Sequence, residues 1–254
     1  MALSSSSSLR TAHWLDSDVA LRVMQLLAVC WLLLWAVWTW PYWEDDSYIH
    51  LAYARSVAQG QGFVFNGVLS NGDTSPLWVL MLAAAGRLAP DWVLGGKLLC
   101  IAVMAWALWV WSSFARAPQP GVSTSLRTAR QLLMCLVLAS PFFLHWVYSG
   151  MEAVAAAAWV VLASMCLASA QPRWSQTLLG CALVGMGPLL RPEFVLMAPV
   201  ALPFLWRHAR LVWQAHVRAA AVRRLALGVA LLVLPLAAWT VYAIDAFGYV
   251  LPNT

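Results

Sequence analysis

Apolar residues come in long runs along this chain, separated by short polar stretches rich in arginine, glycine and proline. Crossing a hydrocarbon core of roughly 30 Å takes about 20 apolar residues in a helix, somewhat fewer where flanking side chains snorkel or the bilayer thins. On that measure seven segments read as spans, at about 20–40, 93–114, 131–147, 153–170, 176–190, 193–206 and 225–244, the fifth and sixth being short. The pattern predicts an all-α, polytopic transmembrane helix bundle over residues 20–254, preceded by a tail, residues 1–19, that carries a serine run. No small-residue cleavage pattern follows the first run, so it reads as a retained anchor.

Between the first two spans lies a long loop, about 41–92. It opens on the acidic corner Glu44-Asp45-Asp46 and continues into a predicted helix over 47–59. Asp45, Asp46 or Ser47 can cap its start, and Gly60 and Gly62 stop it. Ile49, Ala52 and Ser56 form one stripe at helical spacing and Tyr48, Leu51 and Arg55 a neighbouring one, so one side can rest on lipid or protein. Asn66-Gly67 and Asn71-Gly72 mark turns in the stretch that follows, which should fold back under the aspartates.

Pro76–Leu88 is apolar but only 13 residues long, and charge decides how it is read. If it lies along the surface, eleven of the fifteen basic residues become cytoplasmic, leaving Arg55, Arg87, Lys97 and Arg191 outside. That is a strong positive-inside bias. The expected topology therefore has a cytoplasmic N-terminus and 41–92 as an external loop with two juxtamembrane helices.

Composition agrees: 63% of residues are hydrophobic and 10% charged, which excludes a soluble domain of this length. The five cysteines all fall inside apolar runs, where they serve as packing residues and not as a disulfide framework or zinc site. Several of the seventeen tryptophans sit near the ends of those runs, as an interfacial belt would place them.

Carboxylates at a bilayer edge are costly unless solvated, paired or working. Asp45 and Asp46 at a helix start meet the positive end of the helix dipole, which favours their charged form and so their use as a base. The same positions equally suit a plain cap and a solvated boundary acid. His50 follows Asp46 by four residues, a spacing at which the two can share a divalent cation, although a surface histidine at headgroup level fits it as well.

The string DDSYIHLAYARSVAQGQGFVFN, followed by NGDTSPLW, resembles the first external loop of the bacterial GT-C glycosyltransferases. The likeness is greatest to the arabinofuranosyltransferase branch related to the mycobacterial terminal arabinosyltransferases. Members typically read like DDAYISxRYARN, then GxGLVWN, then GYTSPLW. The resemblance continues at Tyr148-Ser149-Gly150-Met151-Glu152, at Leu190-Arg191-Pro192-Glu193 and at Phe247-Gly248-Tyr249-Val250-Leu251-Pro252-Asn253-Thr254, in the family's order. Protein O-mannosyltransferases and lipid A aminoarabinose transferases, more distant relatives, share the acidic pair after the first span.

The resemblance implies transfer of a sugar from a polyprenyl-phosphate donor to a hydroxyl of a glycan, lipid or protein acceptor on the external membrane face. Membrane lipids are the expected surroundings, and nucleic acid is not an expected partner. Asp45 matches the first acid of the family pair and is the expected general base of an inverting displacement, while Asp46 orients the acceptor or helps hold a cation. Arg191 and Lys97 are the basic residues placed to meet the phosphate, with snorkelling as their plain alternative. Glu152, Glu193, Arg55 and Asn253 join them as substrate-binding candidates; for the two glutamates, pairing with Arg191 or helix capping fits equally well. A divalent cation at Asp46 and His50 is the one cofactor candidate.

His50 and Ala52 depart from the residues usual at their positions. Full-length relatives continue past the LPNT-like block into a second external loop and further spans, with a basic residue near the lipid phosphate. The expectation is thus an N-terminal part that inserts, binds polyprenyl phosphate weakly through Arg191 and Lys97, and by itself transfers little. Two other readings remain: a transporter or flippase for lipid-linked precursors, against which stands the lack of an internal repeat, and an inactive scaffold that kept the fold.

Overall fold

A computed structural model describes residues 18–116, 124–168, 173–214 and 218–252. The chain is almost wholly helical. Helices α1 (Asp18–Trp38), α2 (Asp45–Ala58), α3 (Pro76–Leu88), α4 (Trp92–Arg116), α5 (Thr124–Ala139), α6 (Pro141–Tyr148), α7 (Ala153–Leu167), α8 (Trp174–Met186), α9 (Met197–Gln214) and α10 (Arg218–Phe247) follow in order. Two 3-10 turns, Gly187–Leu189 and Pro192–Leu196, join α8 to α9. Between α2 and α3 sits a two-stranded antiparallel hairpin of β1 (Val64–Phe65) and β2 (Val68–Leu69).

Every predicted span contains a helix, but apolar length divides them. Trp92–Ser113, Pro192–Gln214 and Arg218–Phe247 are long and apolar enough to cross a membrane, and the bent pair α5 and α6 adds a fourth if counted as one. That pair turns by 63° at Ser140-Pro141, where proline removes a backbone donor and its ring clashes with the preceding turn. Arg22–Trp38 and Ala153–Leu167 are apolar but shorter, and α8 stops after 13 residues at Gly187-Pro188. The predicted 193–206 span is longer than expected, because α9 runs on through Arg207, His208 and Arg210 to Gln214. Those polar residues lower the hydropathy without breaking the helix.

The contacts divide the chain into two units. In one, α1 packs on α5. The other holds α2, the hairpin, α3, most of α4, and everything from Trp146 onward. Its core is built from α7, α8, α9 and α10, with Ala163, Cys181, Val184, Ala201 and Leu205 buried between them. Small residues set the spacing there: a Cβ at Gly185 would lie 2.0 Å from the Leu231 carbonyl oxygen, so α8 and α10 meet backbone to backbone.

The loop of 41–92 holds two helices as expected, with the second, α3, at the predicted bounds. Helix α2 starts two residues earlier than predicted. Glu44 is its cap residue, without a side-chain capping bond, and Asp45 and Asp46 occupy the first turn. Asn66 and Gly67 take φ of +51° and +80°, the left-handed pair that a tight two-residue hairpin turn requires. Phe65 stacks on Tyr53 of α2 at 5.4 Å, and Phe63 meets Trp239 of α10 edge-on at 5.1 Å. The hairpin is thereby held against α2 and α10 together.

Candidate functional site

The base of α2 is fixed by the turn before α7. The Ser149 carbonyl accepts from the Glu44 N–H at 3.0 Å and from the Ser47 hydroxyl at 2.7 Å, while the Gly150 carbonyl accepts from Trp78 Nε1 at 2.9 Å. Ser47 therefore spends its hydroxyl on a distant loop and not on its own helix end. Gly150 sits at φ +88°, and a Cβ there would lie 2.4 Å from the Trp43 ring, so no side chain fits. Lys97 is buried beneath this corner, with Nζ donating to the Tyr42 carbonyl at 3.1 Å and lying 5.5 Å from the centre of the Trp43 ring.

The face of α2 that goes inward carries Ser47, His50, Leu51 and Ala54, while Tyr48 and Ile49 stay exposed. Neither predicted stripe matches this face, because a polar residue occupies its middle. His50 Nδ1 lies 2.6 Å from Asp73 Oδ2, with both side chains buried. Its Nε2 lies 3.6 Å from Glu152 Oε2, an ionic contact longer than a hydrogen bond, and Glu152 Oε1 accepts from Arg191 at 2.7 Å. Two positive and two negative groups form one chain of contacts, with three of the four well buried.

Local sequence explains each placement. Asp73 Oδ1 accepts from the Ser75 N–H at 2.7 Å, an Asx-type turn that leads into α3 with Pro76 at its first position. Glu152 precedes α7 and makes no side-chain capping bond there, leaving its carboxylate for Arg191. Arg191 is extended, with φ −149° and ψ 126°, as the residue before a proline prefers.

Burial opposes a charge on His50. The hydrogen bond to Asp73 and the negative charges of Asp73 and Glu152 outweigh it, raising the pKa to about 9. The imidazole is thus protonated at neutral pH. Burial likewise opposes the Glu152 charge, yet His50 and Arg191 hold its pKa below the ordinary carboxylate value. Two buried atoms of this cluster, Glu152 Oε2 and Arg191 Nε, have no hydrogen-bond partner among the described residues.

The sequence-predicted residues divide into three groups. His50, Glu152 and Arg191 come together. Asp45 and Asp46 are exposed on the first turn of the same helix, outside the buried network. Glu193 is exposed on a 3-10 turn, Arg55 is exposed with its guanidinium 5.8 Å from the Trp92 ring, and Lys97 sits under Trp43. Asn253 lies outside the described residues. The ring nitrogens of His50 face Asp73 and Glu152, not Asp46, and among the described residues no group of three or more His, Cys, Asp or Glu side chains is arranged to hold a metal.

Asp73 is the residue that sequence reasoning missed as a site residue. It stands where the pattern GYTSPLW, which this stretch resembles, has tyrosine, and His50 also departs from the residue usual in the resembled pattern. The two departures bond to each other. No family model, curated protein or solved structure matches the chain.

Proposed function

We propose that the chain is a membrane glycosyltransferase of the GT-C kind, or the N-terminal half of one, moving a sugar from a polyprenyl-phosphate donor to an acceptor hydroxyl on the external face of the inner membrane. The observation that carries this reading is that the separated blocks of the resemblance meet through side chains. His50 and Asp73 come from the first two blocks, Glu152 and Arg191 from the next two, and Asn71 Nδ2 donates to the Val250 carbonyl of the last at 2.9 Å. Charged residues brought from four separate segments to one partly open cluster supply what a common site needs.

The reaction then runs as a single displacement. The acceptor oxygen attacks the anomeric carbon, its proton passes to the Asp45 carboxylate, and the bond to the lipid phosphate oxygen breaks with the electron pair going to the phosphate. Asp46 orients the acceptor or shares a divalent cation. Arg191, half-exposed beside Glu152, is the nearest cation of the cluster for the leaving phosphate, with Lys97 buried behind the corner. Glu152 Oε2 and Arg191 Nε, which make no hydrogen bond among the described residues, supply an acceptor and a donor suited to a sugar hydroxyl. In this reading seven segments span the membrane and the N-terminus is cytoplasmic.

Two measurements test it. Membranes carrying the natural gene product, given polyprenyl-phosphate-linked sugars, should release the lipid phosphate, and turnover with nucleotide sugars alone would overturn the donor assignment. A reporter inserted near Gly67 should signal the external side and one after Arg127 the cytoplasm. Agreement between the two reporters would make Pro76–Leu88 a true span and place the acidic corner on the same side as the arginine-rich loop.

A further inference from the structure

Far along the chain from this site, the last turns of α9 and the first turns of α10 enclose a groove of about 340 Å³. Trp206, Arg210 and Trp213 line it from α9, and Val222 and Leu225 from α10. Both helices belong to segments long and apolar enough to cross a membrane, so the groove lies at one end of two neighbouring candidate spans. The two tryptophans are about half exposed there, the position where amphipathic rings sit at headgroup level. Arg218 stacks over Trp213, its guanidinium 5.4 Å from the ring centre, which puts a second cation against a wall of the groove that Arg210 lines.

Charge identifies the occupant. From Phe194 to Ile244 the sequence holds five arginines (Arg207, Arg210, Arg218, Arg223 and Arg224) and no acid. An apolar furrow open to lipid, with guanidiniums at its mouth and the nearest acid of α10, Asp245, at the other end of that helix, matches a ligand that is a hydrocarbon chain at one end and a phosphate at the other. We infer that the α9–α10 groove binds an anionic phospholipid, with the acyl chain along Val222 and Leu225 and the headgroup phosphate on Arg210 and Arg218. The site does not depend on sugar transfer. It ties α10, whose far end packs on the hairpin and whose following residue Val250 is bonded to Asn71, to the lipid composition of the leaflet around its start.

The purified full chain, exchanged into micelles holding equal amounts of phosphatidylglycerol and phosphatidylcholine, tests this by native mass spectrometry. Phosphatidylglycerol should be retained in excess, and Arg210→Gln should lower that excess about five-fold, the effect expected of one basic residue near a lipid headgroup. Val222→Trp keeps every charge but fills the groove, so it should lower phosphatidylglycerol retention as well, and it decides the matter if Arg210→Gln does not fold. Equal retention of the two lipids would overturn the inference, as would retention unchanged in both variants. Displacement of the lipid by inorganic phosphate alone would point to a simple anion site instead, and a dimer lost in Val222→Trp would assign the groove to a second copy.

Discussion

Replacing Asp45 by asparagine should lower sugar transfer by about 10²–10⁴-fold, the usual contribution of a positioned general base. The substitution keeps volume and shape and removes only the proton-accepting charge. Asp45 is exposed on the first turn of α2 and takes no part in the buried contacts of His50, Asp73, Glu152 and Arg191. Expression, membrane insertion and melting temperature should therefore stay at parental values. A loss confined to kcat, with KM little changed, is the signature of an interaction made in the transition state and not in the bound ground state. Asp46→Asn should be milder, because its proposed task is to orient the acceptor and not to take its proton. Near-parental turnover in Asp45→Asn would move the base elsewhere and remove the chief residue carried over from the family resemblance.

Much of the helical layout is legible from apolar runs alone, since burial in lipid or protein and helix formation act on the same continuous segments. Pro76–Leu88 is a helix at the bounds its apolar run suggested, and Asn66-Gly67 announced a turn that the hairpin makes. Continuity was harder to see. A hydropathy run gives no sign that the chain bends by 63° at Ser140-Pro141, nor that α9 continues through Arg207 and Arg210. The site is legible by halves. The acidic corner, Glu152 and Arg191 stand out as charges in an apolar chain, but their joining does not, because His50 and Asp73 are 23 residues apart and Ser47 and Ser149 are 102 apart. Local pattern holds no information at that range. Asp73, set among Asn71, Gly72 and Ser75, looks like any solvated turn residue until the fold buries it against a histidine.

Removal of the Asp73 carboxylate should be the most damaging single change to stability in the chain's polar network, costing about 3–5 kcal/mol as for other broken buried pairs. Asp73→Ala leaves the protonated His50 buried with only the longer contact to Glu152, and it also frees the Ser75 N–H at the start of α3. Asp73→Asn retains an acceptor for that N–H and should cost less, which separates the ion pair from the turn. The same pair gives stability a pH dependence with a definite sign. His50 has its pKa raised from 6.5 to about 9 on folding. Its contribution, on the order of 3 kcal/mol, is thus fully present below about pH 6.5 and lost as pH rises through 9. Glu152 acts in the opposite sense: its lowered pKa gives a contribution present above the ordinary carboxylate value and lost on acidification. Melting temperature in lipid nanodiscs should therefore be highest on the mildly acidic side of neutrality and fall toward both ends. His50→Leu removes the titrating group and should flatten the alkaline limb; the acidic limb should weaken too, keeping the part that Arg191 supports, because His50 also helps hold the Glu152 pKa down. An alkaline limb unchanged by His50→Leu would show that the imidazole is not charged in the folded chain, and with it the buried network of two positive and two negative groups would fail.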